Sequence, residues 1–154
     1  MGETSGSAEL MTADDTIALG AEFGKQLRAG DVVVLSGPLG AGKTVLAKGI
    51  AQAMDVEGPV ISPTFVLARV HRARADGAPA MIHVDLYRLL DQHSVDLLAE
   101  LDSLDLDTDL DDAVVVVEWG EGLAERLSDS HLDIRLERSA DTEARTALWT
   151  WSRM

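Results

Sequence analysis

Asp31-Val-Val-Val-Leu-Ser-Gly-Pro-Leu-Gly-Ala-Gly-Lys-Thr44 is the stretch whose reading decides the fold. From Gly37 it runs Gly-Pro-Leu-Gly-Ala-Gly-Lys-Thr, satisfying the phosphate-loop pattern G-x-x-x-x-G-K-[ST]. The pattern has a mechanism. Glycines at 37, 40 and 42 turn the backbone sharply, so that successive N–H groups, with those of Pro38-Leu39-Gly40-Ala41 between them where an N–H exists, point inward around an anion. Lys43 then reaches the β- and γ-phosphates as a point charge, and Thr44 offers a hydroxyl to Mg²⁺. The helix that follows aims its positive end at the pyrophosphate.

Working outward, the flanks agree. Val32-Val-Val-Leu35 is a β-branched run suited to a strand buried on both faces. Val45, Leu46, Ala47, Ile50, Ala51 and Met54 recur at helical spacing and stop before Asp55. Strand, glycine loop and helix therefore follow in the order that phosphate binding needs. Two further apolar runs, Ala80-Met-Ile-His-Val-Asp85 and Ala113-Val-Val-Val-Val-Glu118, each end in an acid. In an open α/β sheet the carboxyl ends of strands face the ligand crevice, so both acids are placed to hold a cation or orient water. His83 alternates with Asp85 along one face and reads as a packing residue, because Mg²⁺ prefers oxygen ligands.

Upstream, residues 1–10 are small and polar and read as a disordered segment, leaving 11–154 as a single domain. Thr12 with Asp15 three residues on forms an acidic capping box for a helix carrying Ile17, Ala21, Phe23 and Leu27 and stopped by Gly30. Thr16 in that first turn serves capping or lies beside a nucleotide base. Ser62-Pro-Thr-Phe65 places a hydroxyl after the first helix, where nucleotide switches carry a phosphate sensor and where ordinary turns also carry Ser-Pro-Thr. Asp76-Gly77 reads as a hairpin connection, and Tyr87 and Arg88 as anchors for the next loop, with Arg88 equally a candidate for a phosphate contact. Val95, Leu98 and Leu101 suggest a short helix. The acidic run 102–112 resembles a Ca²⁺ loop only superficially, since Asp112 stands where the loop requires glycine. His131-Leu-Asp-Ile-Arg-Leu136 and Ala144-Arg-Thr-Ala-Leu-Trp-Thr-Trp151 alternate as two strands of a hairpin that finishes the sheet.

Composition bounds the partners. A formal charge of −14 opposes a free-standing grip on tRNA or DNA, which rests on cations meeting phosphates. A local basic patch, for instance around Arg69, His71, Arg72 and Arg74, is still open to such a contact. With no cysteine there is no disulfide framework, and the start has neither a basic nor an apolar region of an export signal. We therefore expect a soluble, cytoplasmic protein.

Taken in order, Gly37 to Thr44, Ser62-Pro-Thr-Phe65, His83-x-Asp85-x-Tyr87-Arg88 and Glu118-Trp119 resemble the TsaE (YjeE) family of small P-loop ATPases in tRNA threonylcarbamoyladenosine synthesis. The resemblance implies an α/β, P-loop NTPase-like three-layer fold with a central parallel sheet and antiparallel border strands. It implies ATP and Mg²⁺ as cofactors, and action with TsaB and TsaD in modifying adenosine 37 of ANN-decoding tRNAs. By position, Thr44 and Glu118 would bind Mg²⁺, Lys43 would hold phosphate, Asp85 would act near the γ-phosphate and Thr16 would contact the nucleotide. Pro38 stands where many relatives have Asp, at a variable loop position. A small-molecule kinase is the alternative, but no arginine-bearing lid is evident; a GTPase is disfavoured because Asn-Lys-x-Asp is impossible in a chain without asparagine.

Overall fold

The computed structural model describes residues 2–38, 42–58, 68–85, 112–118, 130–138 and 144–153. Within these, nine elements follow along the chain: β1 (Gly2–Leu10), α1 (Ala13–Gly24), β2 (Val32–Ser36), α2 (Lys43–Met54), β3 (Ala68–His71), β4 (Ala80–Asp85), β5 (Ala113–Glu118), β6 (His131–Arg138) and β7 (Arg145–Arg153). The strands form one sheet of seven in the order β1-β7-β6-β2-β5-β4-β3. The four central strands β6, β2, β5 and β4 run parallel, while β7, β1 and β3 join antiparallel at the borders. The expected α/β architecture with parallel centre and antiparallel borders is what the chain adopts.

Valine runs make the centre because a strand buried on both faces has no polar side to present. Val32 to Leu35 and Ala113 to Glu118 are buried at every position. On one face Val33, Leu35, Val114, Val116, Met81, Leu132, Ile134 and Leu136 meet Leu46, Ala47 and Ile50 of α2, Phe23 of α1 and Leu27 just beyond it in a single core. Parallel register carries this order to the strand ends, pairing Leu35 with Glu118 and Glu118 with Asp85.

The N-terminal segment corrects the sequence reading. Residues 2–10 are a nine-residue strand paired along its whole length with β7, from Gly2 opposite Arg153 to Leu10 opposite Arg145. Small residues here reflect a neighbour rather than disorder. A Cβ on Gly6 would stand 2.5 Å from the Trp149 ring, so the indole covers the strand where glycine leaves space. Trp149 also meets Phe23 edge-on at 5.2 Å between centroids. The terminal hairpin pair β6–β7 therefore does not finish the sheet; β1 lies outside it.

The capping box forms as read: the Thr12 hydroxyl accepts from the Asp15 N–H at 3.2 Å and Asp15 accepts from the Thr12 N–H at 3.2 Å. The helix ends earlier than the apolar stripe suggests, at Gly24, and Gly30 instead donates its N–H to Ala113 O at 2.9 Å. Its buried face is Thr16, Gly20, Phe23 and Gly24 rather than Ile17 and Ala21. The reason lies in α2. A Cβ on Gly49 would meet Ile17 O at 2.1 Å and one on Gly20 would meet Leu46 O at 2.3 Å, so the two helices cross backbone against backbone. The hairpin turn around Asp76-Gly77 joins β3 to β4, with Gly77 at φ 83°.

Candidate nucleotide site

The site is built where β2 gives way to α2. Gly37 leaves the strand at φ 136°, and a Cβ there would stand 2.3 Å from Leu136 O of β6, so only glycine lets the loop cross so near that backbone. At the far end Gly42 begins α2 with no side-chain cap. The first N–H groups of this helix are thus left without a capping side chain of their own, as an anion site requires. Leu39, Gly40 and Ala41 lie outside the described residues.

Lys43 is 5% exposed, and its ammonium donates to Gly37 O at 2.6 Å and Pro38 O at 3.0 Å. A buried cation needs such partners, and the Gly37 and Pro38 carbonyls supply them. That is where an incoming phosphate would find it.

One residue on, Thr44 faces β5. Its hydroxyl stands 3.4 Å from each of the two carboxylate oxygens of Glu118, which is 3% exposed. A hydroxyl bonded directly to a carboxylate usually closes to about 2.5–2.7 Å. The wider, symmetric spacing suits two hard oxygen donors flanking a small cation. Among the described residues no group of three or more His, Cys, Asp or Glu is placed to hold a metal.

Glu118 has a second partner that the sequence reading assigned only to packing. The Nε2 of His83 lies 2.5 Å from Glu118 Oε2, and the imidazole is fully buried. The signal was present as alternation: His83 sits two residues before Asp85 on the face that carries Glu118, by the register of β4 against β5. Asp85 itself closes β4 as the Cα partner of Glu118, and its side chain lies outside the described residues.

The glycine crossing brings α1 in as well. Thr16 is buried, its hydroxyl donates back to Thr12 O at 3.4 Å, and its methyl lies 3.8 Å from where a Cβ on Gly42 would be. Thr16 therefore borders the loop in addition to its place in the first turn. Ser62 to Phe65, Tyr87, Arg88, the 95–101 helix, the acidic run up to Asp111 and Trp119 fall outside the described residues.

The basic patch is weaker than its composition. His71 is buried, and its Nδ1–H donates to Glu57 O at 2.9 Å. Burial first, with smaller contributions from His83 and Arg69, holds its pKa below the ordinary 6.5 against the raising effect of the Glu57 carbonyl. Arg74 is paired with Asp55 at 3.3 Å. No described helix is long and apolar enough to cross a membrane.

Residues 10–147 match the family model for threonylcarbamoyl adenosine biosynthesis protein TsaE. The chain belongs to the TsaE family. Relatives named tRNA threonylcarbamoyladenosine biosynthesis protein TsaE bear this out. The one from Mycobacterium tuberculosis H37Rv is 72% identical over 96% of this chain and 88% of its own. The Streptomyces coelicolor relative is 50% identical over 82% of this chain and 81% of its own. The crystal structure of Bacillus subtilis YdiB superposes with a TM-score of 0.71 over 99% of this chain and 89% of that one, at 23% identity, a likeness of fold. Membership places the chain in tRNA threonylcarbamoyladenosine biosynthesis, in agreement with the four ordered motifs.

Proposed function

We propose that this TsaE-family chain binds ATP and hydrolyses it in a Mg²⁺-dependent reaction, acting with TsaB and TsaD in the cytoplasm to support threonylcarbamoylation of adenosine 37 in ANN-decoding tRNAs. The observation that carries the reading is the Thr44 hydroxyl centred 3.4 Å from both Glu118 oxygens beside an uncapped helix start. Thr44 and Glu118 would hold Mg²⁺, which would supply charge neutralisation to the phosphates. Lys43 holds the β- and γ-phosphates, exchanging its carbonyl partners for oxyanions. Glu118 fixes the cation side of the triphosphate, and Asp85 or Glu118 orients the attacking water. Thr16 borders the nucleotide from α1.

The acidic surface supports a division of labour in which partners hold the tRNA and this chain supplies nucleotide turnover. Slow hydrolysis alone is expected where a partner completes the site. The test is ATP turnover with and without purified TsaB and TsaD, with a small-molecule acceptor screen run alongside. Mg²⁺-dependent phosphate release stimulated by the partners supports the reading, while transfer to an acceptor in their absence replaces it with a kinase.

A further inference from the structure

Glu118 closes β5 inside the protein, where an ionised carboxylate must find hydrogen bonds or remain costly. Its two oxygens are not equivalent. Both lie 3.4 Å from the Thr44 hydroxyl, but Oε2 alone has the His83 ring nitrogen at 2.5 Å. The imidazole comes from β4, one strand away, and is fully buried. Parallel pairing sets His83 opposite Val116 and Asp85 opposite Glu118, so the ring reaches diagonally along the sheet face toward the strand end. Facing a carboxylate, Nε2 must carry the proton and donate. The other nitrogen, Nδ1, is buried with no hydrogen-bond partner among the described residues, which suits a bare lone pair.

The consequence is mechanical. A glutamate has three side-chain torsions, and fixing one oxygen from below removes most of its freedom to turn. With Oε2 engaged by the imidazole, Oε1 is the oxygen left for a cation, while the carboxylate as a whole stays 3.4 Å from the Thr44 hydroxyl. A carboxylate so held meets a small octahedral cation through one oxygen, whereas a free one can swing away or chelate with both. Partners of metal ligands act in this way, fixing orientation without touching the metal themselves.

We propose that His83 is a positioning residue: by donating Nε2–H to Glu118 Oε2 it aims the other carboxylate oxygen at the cation position beside Thr44. This rests on the reading of Thr44 and Glu118 as the cation's ligands, and the test separates the two. Three full-length proteins are compared: wild type, His83→Leu, which fills the space without a donor, and His83→Gln, whose amide can donate from near the position of Nε2.

The first readout is the Mg²⁺ concentration that half-restores tight binding of a fluorescent ATP analogue. His83→Leu should raise it about 10- to 100-fold, the range usual for loss of a metal ligand's supporting partner, while analogue affinity without Mg²⁺ stays unchanged. His83→Gln should recover most of the loss. The second readout is ring ¹⁵N NMR of nucleotide-free protein. His83 should show a protonated Nε2 and a bare Nδ1, and Glu118→Gln should shift the Nε2 signal. An unchanged Mg²⁺ requirement in a folded His83→Leu protein overturns the proposal, as does His83→Gln behaving like His83→Leu, or a protonated Nδ1 with a bare Nε2. Should His83→Leu fail to fold, the Gln variant and the NMR spectrum still decide. Should wild type bind the analogue with no Mg²⁺ effect at all, the functional reading falls first, and the spectrum alone judges the His83–Glu118 contact.

Discussion

The two ends of β2 each bury an acid, and they use it in opposite ways. Below the amino end, Asp31 accepts the Arg28 N–H at 2.8 Å and the Ser130 hydroxyl at 2.7 Å, tying the turn after α1 to the start of β6. Near the carboxyl end, Glu118 has one short bond to His83 and two long approaches to Thr44, beside a glycine loop. Bonds of ideal length mean a cluster that is complete in itself. The 3.4 Å approaches at the other end, beside an uncapped helix start, are long for a hydroxyl–carboxylate pair, as the proposed cation site would need. Burial of an acid therefore does not by itself point to function, and the proposed role of Glu118 rests on how its oxygens are partnered.

Substitution of the two acids gives the largest contrast. Glu118→Ala should cut Mg²⁺-dependent ATP hydrolysis by at least about 100-fold while nucleotide still binds, on the scale of removing one transition-state electrostatic partner. Turnover retained in that protein would remove the metal assignment. A smaller effect is expected where α2 is seated. Gly49→Val drives a side chain into Ile17 O, 2.1 Å from the Cβ position, and should cost about 3 kcal/mol in urea denaturation, at the upper end of overpacking. Because α2 carries Thr44, turnover per folded molecule should fall with it; unchanged turnover would mean the open end tolerates a displaced helix.

Asp31→Ala sharpens the contrast from the other side. It removes the acceptor of the Arg28 N–H and of the Ser130 hydroxyl bond, and about 2 kcal/mol of stability should go, with hydrolysis per folded molecule unchanged. Any specific loss of turnover would break the distinction between the ends. The smallest effect belongs to His71, on β3 toward the same closed end. Its folded pKa lies below the ordinary 6.5, so the unfolded chain takes up a proton first as pH falls. Its contribution is present above that pH and declines as pH drops from about 6.5 toward the folded value. His71→Asn, which can keep a donor for Glu57 O, should flatten that part of a melting-temperature profile; an unaltered slope would refute the assignment.

Legibility followed the range of the interactions involved. Thr12 with Asp15, the valine strands and the helix that starts at Lys43 are written within a few residues, and each forms as read. The carboxyl-end acids were legible because strand polarity in an α/β sheet fixes which end faces the crevice. Residues 2–10 were misread because nothing within the segment signals a strand; the reason for Gly6 is the indole of Trp149, far along the chain. His83 was assigned to packing alone because alternation gives a residue's face but not the atom it meets across the next strand.

Thus the sequence alone determined the order of strand, glycine-rich stretch and helix, the polarity and burial of the central strands, and the family to which the chain belongs. Tertiary structure alone decided that α1 lies backbone to backbone on α2, that the amino-terminal residues close the sheet's edge, and that His83 holds Glu118. Local rules act through the backbone's own period and turn geometry, so short patterns encode them. Contacts between residues distant in the chain depend on register and on which side chains share a face, and those exist only once the sheet has formed.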